Sequence, residues 1–232
     1  MKKVLITQSN YIPWKGYFDA ICEADVFVLY DEMQYTKRDW RNRNKIKTAN
    51  GLKWLTVPIE VKGKFEQKIN ETKVSDTDWA ENHWNILKNN YAKAAYFEEN
   101  EFFIKDLYLK CEEDYLSEIN FYFLKAICVK LGITTEFIRS KEFELKGNQT
   151  EKLVNICLEL NATDYITGPA AKNYMDESLF ADKGLEINFL DYSSYPEYNQ
   201  LYEGFEHGVS ILDLIFNEGI NACDYLKCIK SN

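Results

Sequence analysis

The most distinctive chemical feature of the sequence is a basic segment at residues 37–47, KRDWRNRNKIK. It contains six Lys or Arg residues and one Asp, a net charge of +5 in a chain whose formal net charge is −9. Clustered cations repel one another unless an anion neutralises them, and a guanidinium group binds phosphate or carboxylate through two parallel hydrogen bonds. We therefore predict an anion-binding site with Lys37, Arg41, Arg43 and Lys47 as ligands; a solvated surface loop is the alternative.

The predicted anion is a small molecule. The rest of the chain is acidic and would repel a polyanion beyond this segment, so nucleic acid is not the expected partner. Trp40, inside the segment, offers a ring that can stack on a base or on the face of a sugar. These features favour a phosphorylated small molecule as the ligand.

A second candidate segment, residues 8–19, follows the first predicted strand and has the sequence QSNYIPWKGYFD. The N-terminus of a helix at such a turn presents backbone N–H groups to an anion. A single glycine, Gly16, excludes a GxGxxG or Walker A loop. In the alternative interpretation, Pro13 and Trp14 only pack the turn against the core. The side chains predicted to contact the ligand are two amides, one ammonium group and three rings: Gln8, Asn10, Lys15, Tyr11, Trp14 and Tyr17.

A third candidate turn, residues 167–174, also follows a predicted strand. Gly168 and Ala170 leave room for a ligand to approach the backbone, so Gly168 is included among the binding candidates. A tight turn without a ligand explains the same residues equally well.

Few residues are candidates for acid–base catalysis. We select His83, Asp31 and Lys15; Glu32 and Asp213 are further acids that have no visible partner in the sequence. His83 lies in an apolar helical segment, where a histidine is more often a hydrogen-bonded core residue than a base. A Ser–His–Asp or Cys–His pairing cannot be argued from one sequence, because such partners need not be close in sequence.

The elements that must position these residues alternate along the chain. Open α/β sheets bind ligands at the carboxyl ends of their strands, where the basic segment and both turns fall. We predict one α/β domain over residues 1–232, with a largely parallel Rossmann-like sheet, helices on both faces and a helical middle segment at about 76–131. Apolar and β-branched runs predict strands at residues 4–6, 25–31, 53–60, 135–140, 164–167 and 185–190. Helical periodicity predicts further helices at residues 17–24, 149–160, 173–180 and 210–217.

Composition narrows the class of protein. Aromatic residues make up 15% of the chain, which suits a ring-lined cleft as well as a packed core. No apolar run approaches the roughly 18–20 residues of a membrane helix, and the N-terminal apolar segment is too short for a signal peptide. We therefore expect a cytoplasmic protein without membrane insertion. The six Cys residues are predicted to be reduced, and with two His residues no metal site is expected. The oligomeric state is not defined by the sequence.

Several motifs occur in a fixed order along the chain. They are QSNYIPWKGYF at residues 8–18, YDEMQY at 30–35, WRNRN at 40–44, WLTVP at 54–58, NY at 90–91, YITGP at 165–169 and SILDLIFN at 210–217. In these motifs the chain resembles the WbqC-like family over nearly its whole length. The resemblance implies a bacterial transferase of surface-polysaccharide and O-antigen biosynthesis. Its implied substrate is a nucleotide-activated amino sugar, modified by acyl or aminoacyl transfer from an activated acyl or nucleotide co-substrate. Gln34, within the second motif, joins the binding candidates.

The chain departs from the family pattern in its first turn, where many members have a His and a Pro and this chain has Thr7 and Ser9. Residues 13–17 also show a distant similarity to the signature turn of nucleotidylyltransferases and pantothenate synthetase, with Trp14 and Tyr17 in place of both signature histidines. Two alternatives therefore accompany the transferase: a nucleotidylyltransferase-like ligase that uses ATP, and a non-catalytic partner of a glycan-assembly enzyme.

Overall fold

A five-stranded parallel sheet forms the centre of the protein. The computed structural model describes residues 1–228 of the 232-residue chain. The strands in this part of the chain are β1 (Lys3–Thr7), β2 (Val26–Leu29), β3 (Arg43–Thr48), β4 (Gly51–Thr56), β5 (Glu136–Arg139), β6 (Asp164–Thr167) and β7 (Glu186–Phe189). The sheet has the strand order β5-β2-β1-β6-β7 and every neighbouring pair is parallel, so the predicted parallel α/β sheet is confirmed.

Helices cover both faces of the sheet. The helices are α1 (Lys15–Glu23), α2 (Trp79–Tyr91), α3 (Phe97–Leu109), α4 (Leu116–Lys130), α5 (Gln149–Glu159), α6 (Glu177–Ala181) and α7 (Ile211–Glu218). Leu5 and Phe27 belong to the core beneath α1 and α4, whereas Val4 and Tyr165 belong to the core beneath α5 and α6. None of the helices within residues 1–228 combines the length and the apolar composition of a membrane span.

The two central strands β1 and β2 have continuous apolar sequences because helices cover both of their faces. Every residue of β2 is buried, as are the three central residues of β1. Successive side chains of a strand point to opposite faces, so a strand between two helical layers needs apolar residues at every position rather than at alternate ones. The sequence shows this pattern at both strands, and for that reason they were predictable.

The direction of winding reverses between β1 and β6. From β1 the chain proceeds through β2 to β5 at one edge, and it then crosses to β6 and β7 on the other side of β1. The helix after β1 lies on one face, and the helix after β6 lies on the opposite face. Connections that diverge in this way leave a crevice at the carboxyl ends of the two strands, which is where open α/β sheets bind ligands.

The helical middle segment lies between β4 and β5. Helices α2, α3 and α4 occupy most of residues 79–130, in agreement with the helical periodicity of residues 76–131. Their apolar side chains form one continuous core with those of α1 and α7. The middle segment therefore adds to the core on one face of the sheet.

The predictions for the basic segment and for the helix after β6 need correction. Strand β3 lies inside the basic segment and pairs antiparallel with β4 in a hairpin separate from the main sheet, whereas the sequence predicted no strand there and a strand at residues 53–60. Along β3, the buried residues Asn44 and Ile46 alternate with the partly exposed Arg43 and Lys45. Ile46 is the one apolar residue on the buried face, so the sequence carries little of the apolar alternation that predicts a strand. The helix predicted at 173–180 begins only at Glu177, because residues 169–173 form a 3-10 turn.

The prediction that all six cysteines are reduced is wrong for one pair. Cys22 in α1 forms a disulfide with Cys228, which is 206 residues away. The backbone N–H of Cys228 also donates to the Asp19 carboxylate, at 2.7 Å, so the segment after α7 is held against α1. Such a contact between distant segments leaves no signal in one sequence. Disulfides are more common in oxidising compartments, and a cytoplasmic location stays a prediction.

Thiol titration tests the disulfide directly. Unfolded protein without reductant is expected to show four thiols and, after reduction, six. Because the bond closes a 206-residue separation, its reduction is expected to lower the free energy of unfolding by up to about 5 kcal/mol. Denaturant unfolding with and without reductant measures this change. Cys22→Ser should abolish the sensitivity to reductant, whereas the control Cys111→Ser should keep it; six thiols without reductant would contradict the bond.

Candidate functional site

A cleft of about 370 Å³ lies at the carboxyl ends of β1 and β6, at the point where the winding reverses. Thr7 and Thr167, which end these strands, line its floor. The cleft brings together side chains from the basic segment, the first turn and the turn after β6. Six of the binding residues predicted from the sequence line it: Gln8, Asn10, Trp14, Tyr17, Arg41 and Gly168.

Arg41 supplies the positive charge of the cleft. Its Nη1 donates to the Asn10 side-chain oxygen and, at 3.4 Å, to the Ser9 carbonyl. The nearest carboxylate, that of Asp39, is 3.8 Å from Nη2. Among the described residues only Nη1 makes hydrogen bonds, while a guanidinium group carries five N–H donors. Arg41 therefore keeps donors for an anion and is already held in position by the first turn.

Aromatic rings form one wall of the cleft. The hydroxyl of Tyr17 donates to the Gln8 carbonyl at 2.8 Å, and burial raises the pKa of Tyr17 well above its ordinary value, so the group stays protonated. The indole of Trp14 packs edge-on against Tyr192, with 5.5 Å between ring centroids. A Cβ atom at Gly16 would lie 2.3 Å from this indole. The isolated glycine is thus explained, because it lets Trp14 lie flat on α1.

The first turn is fixed by buried hydrogen bonds. The Asp31 carboxylate accepts from the Ser9 N–H at 2.8 Å and from the Ser117 hydroxyl at 2.6 Å. Burial raises the pKa of Asp31, although these two hydrogen bonds oppose the rise. The Asn44 amide donates to the carbonyl of Ile12, whose φ of 36° is strained for a β-branched residue. Asp31 holds the turn from below the cleft and does not line it.

His83 lies on the buried face of α2 and does not line the cleft. Its Nε2 is 3.2 Å from the Thr56 carbonyl, which can only accept, so Nε2 carries the proton and Nδ1 accepts from the Tyr11 hydroxyl at 2.8 Å. The Tyr11 hydroxyl is also 2.9 Å from that of Tyr108. Burial lowers the pKa of His83 to about 4, so the ring is neutral at pH 7. His83 and Tyr11 thus connect the first turn to the helical middle segment, and neither side chain lines the cleft.

Lys15 also does not line the cleft. Its ammonium group donates to the Pro196 carbonyl and lies over the Tyr198 ring, 5.1 Å from the centroid. The side chain is buried. The catalytic roles of Lys15, Asp31 and His83 stay predictions. Each of the three side chains makes a hydrogen bond to another part of the protein.

The remaining predicted ligands of the basic segment, and Gln34 just before it, contact different parts of the protein outside the cleft. Lys37 is exposed, and Gln34 donates to a backbone carbonyl at the surface. Arg43 stacks on the Trp54 ring, 4.1 Å from its centroid. Lys47 is buried and donates to the Tyr202 carbonyl at 2.7 Å. Within residues 1–228, Arg41 is therefore the member of the segment that lines the cleft.

Sequence reasoning missed several residues of the site. An adjoining pocket of about 320 Å³ shares Asn10 and Trp14 with the cleft and includes Trp40 and His207. Trp40 is the stacking ring that the sequence already offered, whereas His207 is not among the residues selected from the sequence. The high aromatic content was the signal for the missed rings of the cleft. Its further lining residues include Tyr30, Met33, Gln149, Tyr174 and Tyr192.

The arrangement is chemically suited to an anion attached to a planar group. One guanidinium group, several amides and a set of rings converge, and no carboxylate or imidazole of residues 1–228 lines the cleft itself. The same described residues contain no group of three or more His, Cys, Asp or Glu side chains placed to hold a metal ion.

The fold and the cleft define an α/β protein with a cleft at the switch point of a Rossmann-like sheet. The chain belongs to the WbqC-like protein family, whose model matches residues 8–225. It is similar to a Mycobacterium tuberculosis protein described as "Uncharacterized protein Rv1507c", with 52% identity over 227 residues and 98% of each chain covered. No solved structure matches the chain significantly. The family resemblance found in the sequence is confirmed.

The neutral state of His83 predicts a pH dependence of stability. Its pKa is about 4 in the folded protein and 6.5 ordinarily, so the unfolded chain binds more protons between these values. The stability that neutral His83 contributes is present above pH 6.5 and is lost as the pH falls towards 4, by about 3 kcal/mol. His83→Gln is expected to remove this part of the pH dependence in denaturant unfolding.

The matched control for His83 is His207→Gln, which removes an exposed imidazole. It should keep the wild-type pH dependence. Comparing each variant with wild type cancels the contributions of the buried carboxyl groups, whose raised pKa values act in the opposite direction. Equal pH dependence in wild type and His83→Gln would contradict a buried, neutral His83.

Gly16→Ala tests the close packing of the Trp14 indole on α1. The added methyl group must displace the indole, and we expect a loss of about 1–3 kcal/mol in the free energy of unfolding, despite the better helix propensity of alanine. In the control Gly168→Ala the new Cβ would meet only Tyr192, at an ordinary 3.5 Å. A Gly16→Ala protein as stable as wild type would show that the indole does not lie there.

Proposed function

We propose that this protein is a transferase that modifies a nucleotide-activated amino sugar by acyl or aminoacyl transfer, in bacterial surface-polysaccharide or O-antigen biosynthesis. The observation that carries the proposal is the cleft at the switch point of the sheet, with Arg41 as its cation. Membership of the WbqC-like family supports the same proposal.

The chemistry of the cleft suits a nucleoside diphosphate. Arg41 lines the cleft and keeps N–H donors from which a phosphate can accept, and charge-assisted hydrogen bonds of this kind are about twice as strong as those between neutral groups. The Tyr17 and Trp14 rings provide flat apolar contacts, while Gln8 provides amide groups that select orientation. A ligand with one anionic centre and a planar base satisfies all these groups together, whereas an uncharged ligand would leave Arg41 with the Asp39 carboxylate, 3.8 Å away, as its counter-ion.

ATP-dependent nucleotidylyl transfer is the rival for the same cleft. It would also place a nucleotide on the Trp14 and Tyr17 rings and phosphate on Arg41. Release of pyrophosphate on incubation with ATP would favour this ligase activity over the proposed transferase. A pull-down that recovers a glycosyltransferase, while every candidate small molecule fails to bind, would favour a non-catalytic partner.

Isothermal titration with UDP-, dTDP- and GDP-linked amino sugars tests the proposed ligand. The wild-type protein is expected to bind at least one of them. Arg41→Ala should weaken that binding by about 1.5–3 kcal/mol, or roughly 10- to 150-fold, because it removes a charge-assisted contact. Circular dichroism checks that the variant is folded.

The matched control is Arg43→Ala, which removes the same charge from the same segment. Arg43 packs on Trp54 and lines neither the cleft nor the adjoining pocket, so its loss should leave the affinity near that of wild type. Absence of binding to the whole panel, or equal losses in the two variants, would overturn the proposal.

A further inference from the structure

The pocket next to the cleft has a different chemical character from the cleft. It measures about 320 Å³ and shares Asn10 and Trp14 with the cleft, so the two cavities adjoin at the place where Arg41 contacts Asn10. Within the described residues, no Lys, Arg, Asp or Glu side chain lines it. The lining offers a second phosphate no cation, since Lys45 lies over the Trp40 ring, 5.7 Å from its centroid, without lining the pocket. The pocket instead suits an uncharged group joined to the anion.

Two indole rings form the apolar part of this pocket. Trp14 is held by edge contacts with Tyr192 and Tyr195, at 5.5 and 5.3 Å between centroids. Trp40 is 40% exposed and rests against Trp54, with 5.2 Å between centroids. Large rings held in this way lose little side-chain entropy when a ligand binds, and their electron-rich faces attract polarised C–H groups.

The polar groups of the pocket differ in which of their hydrogen-bonding atoms a ligand can use. The guanidinium group of Arg41 can only donate, so the Asn10 oxygen faces it and the Asn10 amide nitrogen is left for a ligand. Asn44 has no amide N–H left for a ligand, because its nitrogen donates to two backbone carbonyls. Its oxygen accepts from the Lys45 N–H. The nitrogens of His207 make no hydrogen bond to residues 1–228, and its ring packs on Phe205, 4.5 Å between centroids.

We propose that this pocket, lined by Trp14, Trp40, Asn10 and His207, binds the sugar ring of the nucleotide-activated sugar. The C–H face of a pyranose packs on indole, and its hydroxyl or amide substituents meet the Asn10 nitrogen and His207. The diphosphate lies at Arg41, between the base in the cleft and the sugar in the pocket. This inference rests on the proposed function, and it assigns Trp40 and His207 to recognition of the sugar.

The test compares two ligands on each protein variant: the best-bound sugar nucleotide of the UDP, dTDP and GDP panel, and its nucleoside diphosphate without the sugar. Trp40→Ala is expected to weaken binding of the sugar nucleotide about tenfold and to leave the affinity for the nucleoside diphosphate unchanged. His207→Ala should weaken binding of the sugar nucleotide a few-fold with the same selectivity. Saturation-transfer NMR on wild type should show the sugar C–H protons in contact with aromatic protons.

The control is Phe102→Ala, which removes an exposed ring on α3 outside both cavities. It should change neither affinity. If the Trp40 and His207 variants lose both ligands equally, or lose neither, the sugar-binding inference is overturned while the nucleotide site stands. If wild type binds neither ligand of any pair, the proposed function fails and takes the inference with it.

Discussion

The buried hydrogen bonds that the Asp31 carboxylate accepts from the Ser9 N–H and the Ser117 hydroxyl are the constraint on which the site depends. They tie the turn after β1 to the end of β2 and to α4. A buried carboxylate that loses a hydrogen bond is costly, so the turn cannot move away without losing the bond from the Ser9 N–H, while Ser117 holds Asp31 in place. The positions of Asn10 and Trp14, and with them the shape of both cavities, follow from this constraint.

The same turn is held from its other side by residues of the hairpin and the helical middle segment. Asn120 donates to the Ser9 hydroxyl and to the Arg41 carbonyl, both at 2.9 Å, and His83 accepts from Tyr11. Together these contacts hold the turn in one conformation. Their number explains why Ile12, a β-branched residue, keeps its strained positive φ. The helical middle segment therefore positions the cleft although it contributes no lining residue to it.

The cations of the basic segment are adjacent in sequence but contact different parts of the structure. Part of the segment is the strand β3, in which side chains alternate between two faces, so Arg43 and Lys47 share a face. Their contacts nevertheless differ, because Arg43 stacks on Trp54 whereas Lys47 donates to the Tyr202 carbonyl. Arg41, in the loop before the strand, enters the cleft. Adjacency in sequence therefore does not predict which cation lines the cleft, since each contact depends on residues from other parts of the chain.

The sequence alone determined the α/β architecture, the parallel sheet, the helical middle segment and the family. These properties follow from local patterns: continuous apolar runs, helical periodicity and ordered motifs. It also pointed to the ends of the strands, where ligand sites in such sheets lie, and named six of the residues that line the cleft. The tertiary structure alone decided the hairpin, the Cys22–Cys228 disulfide, the burial of His83 and Lys15, and the place of His207 beside the cleft. Each of these depends on contacts between residues far apart in the chain, and no local pattern records which distant partner a side chain will meet.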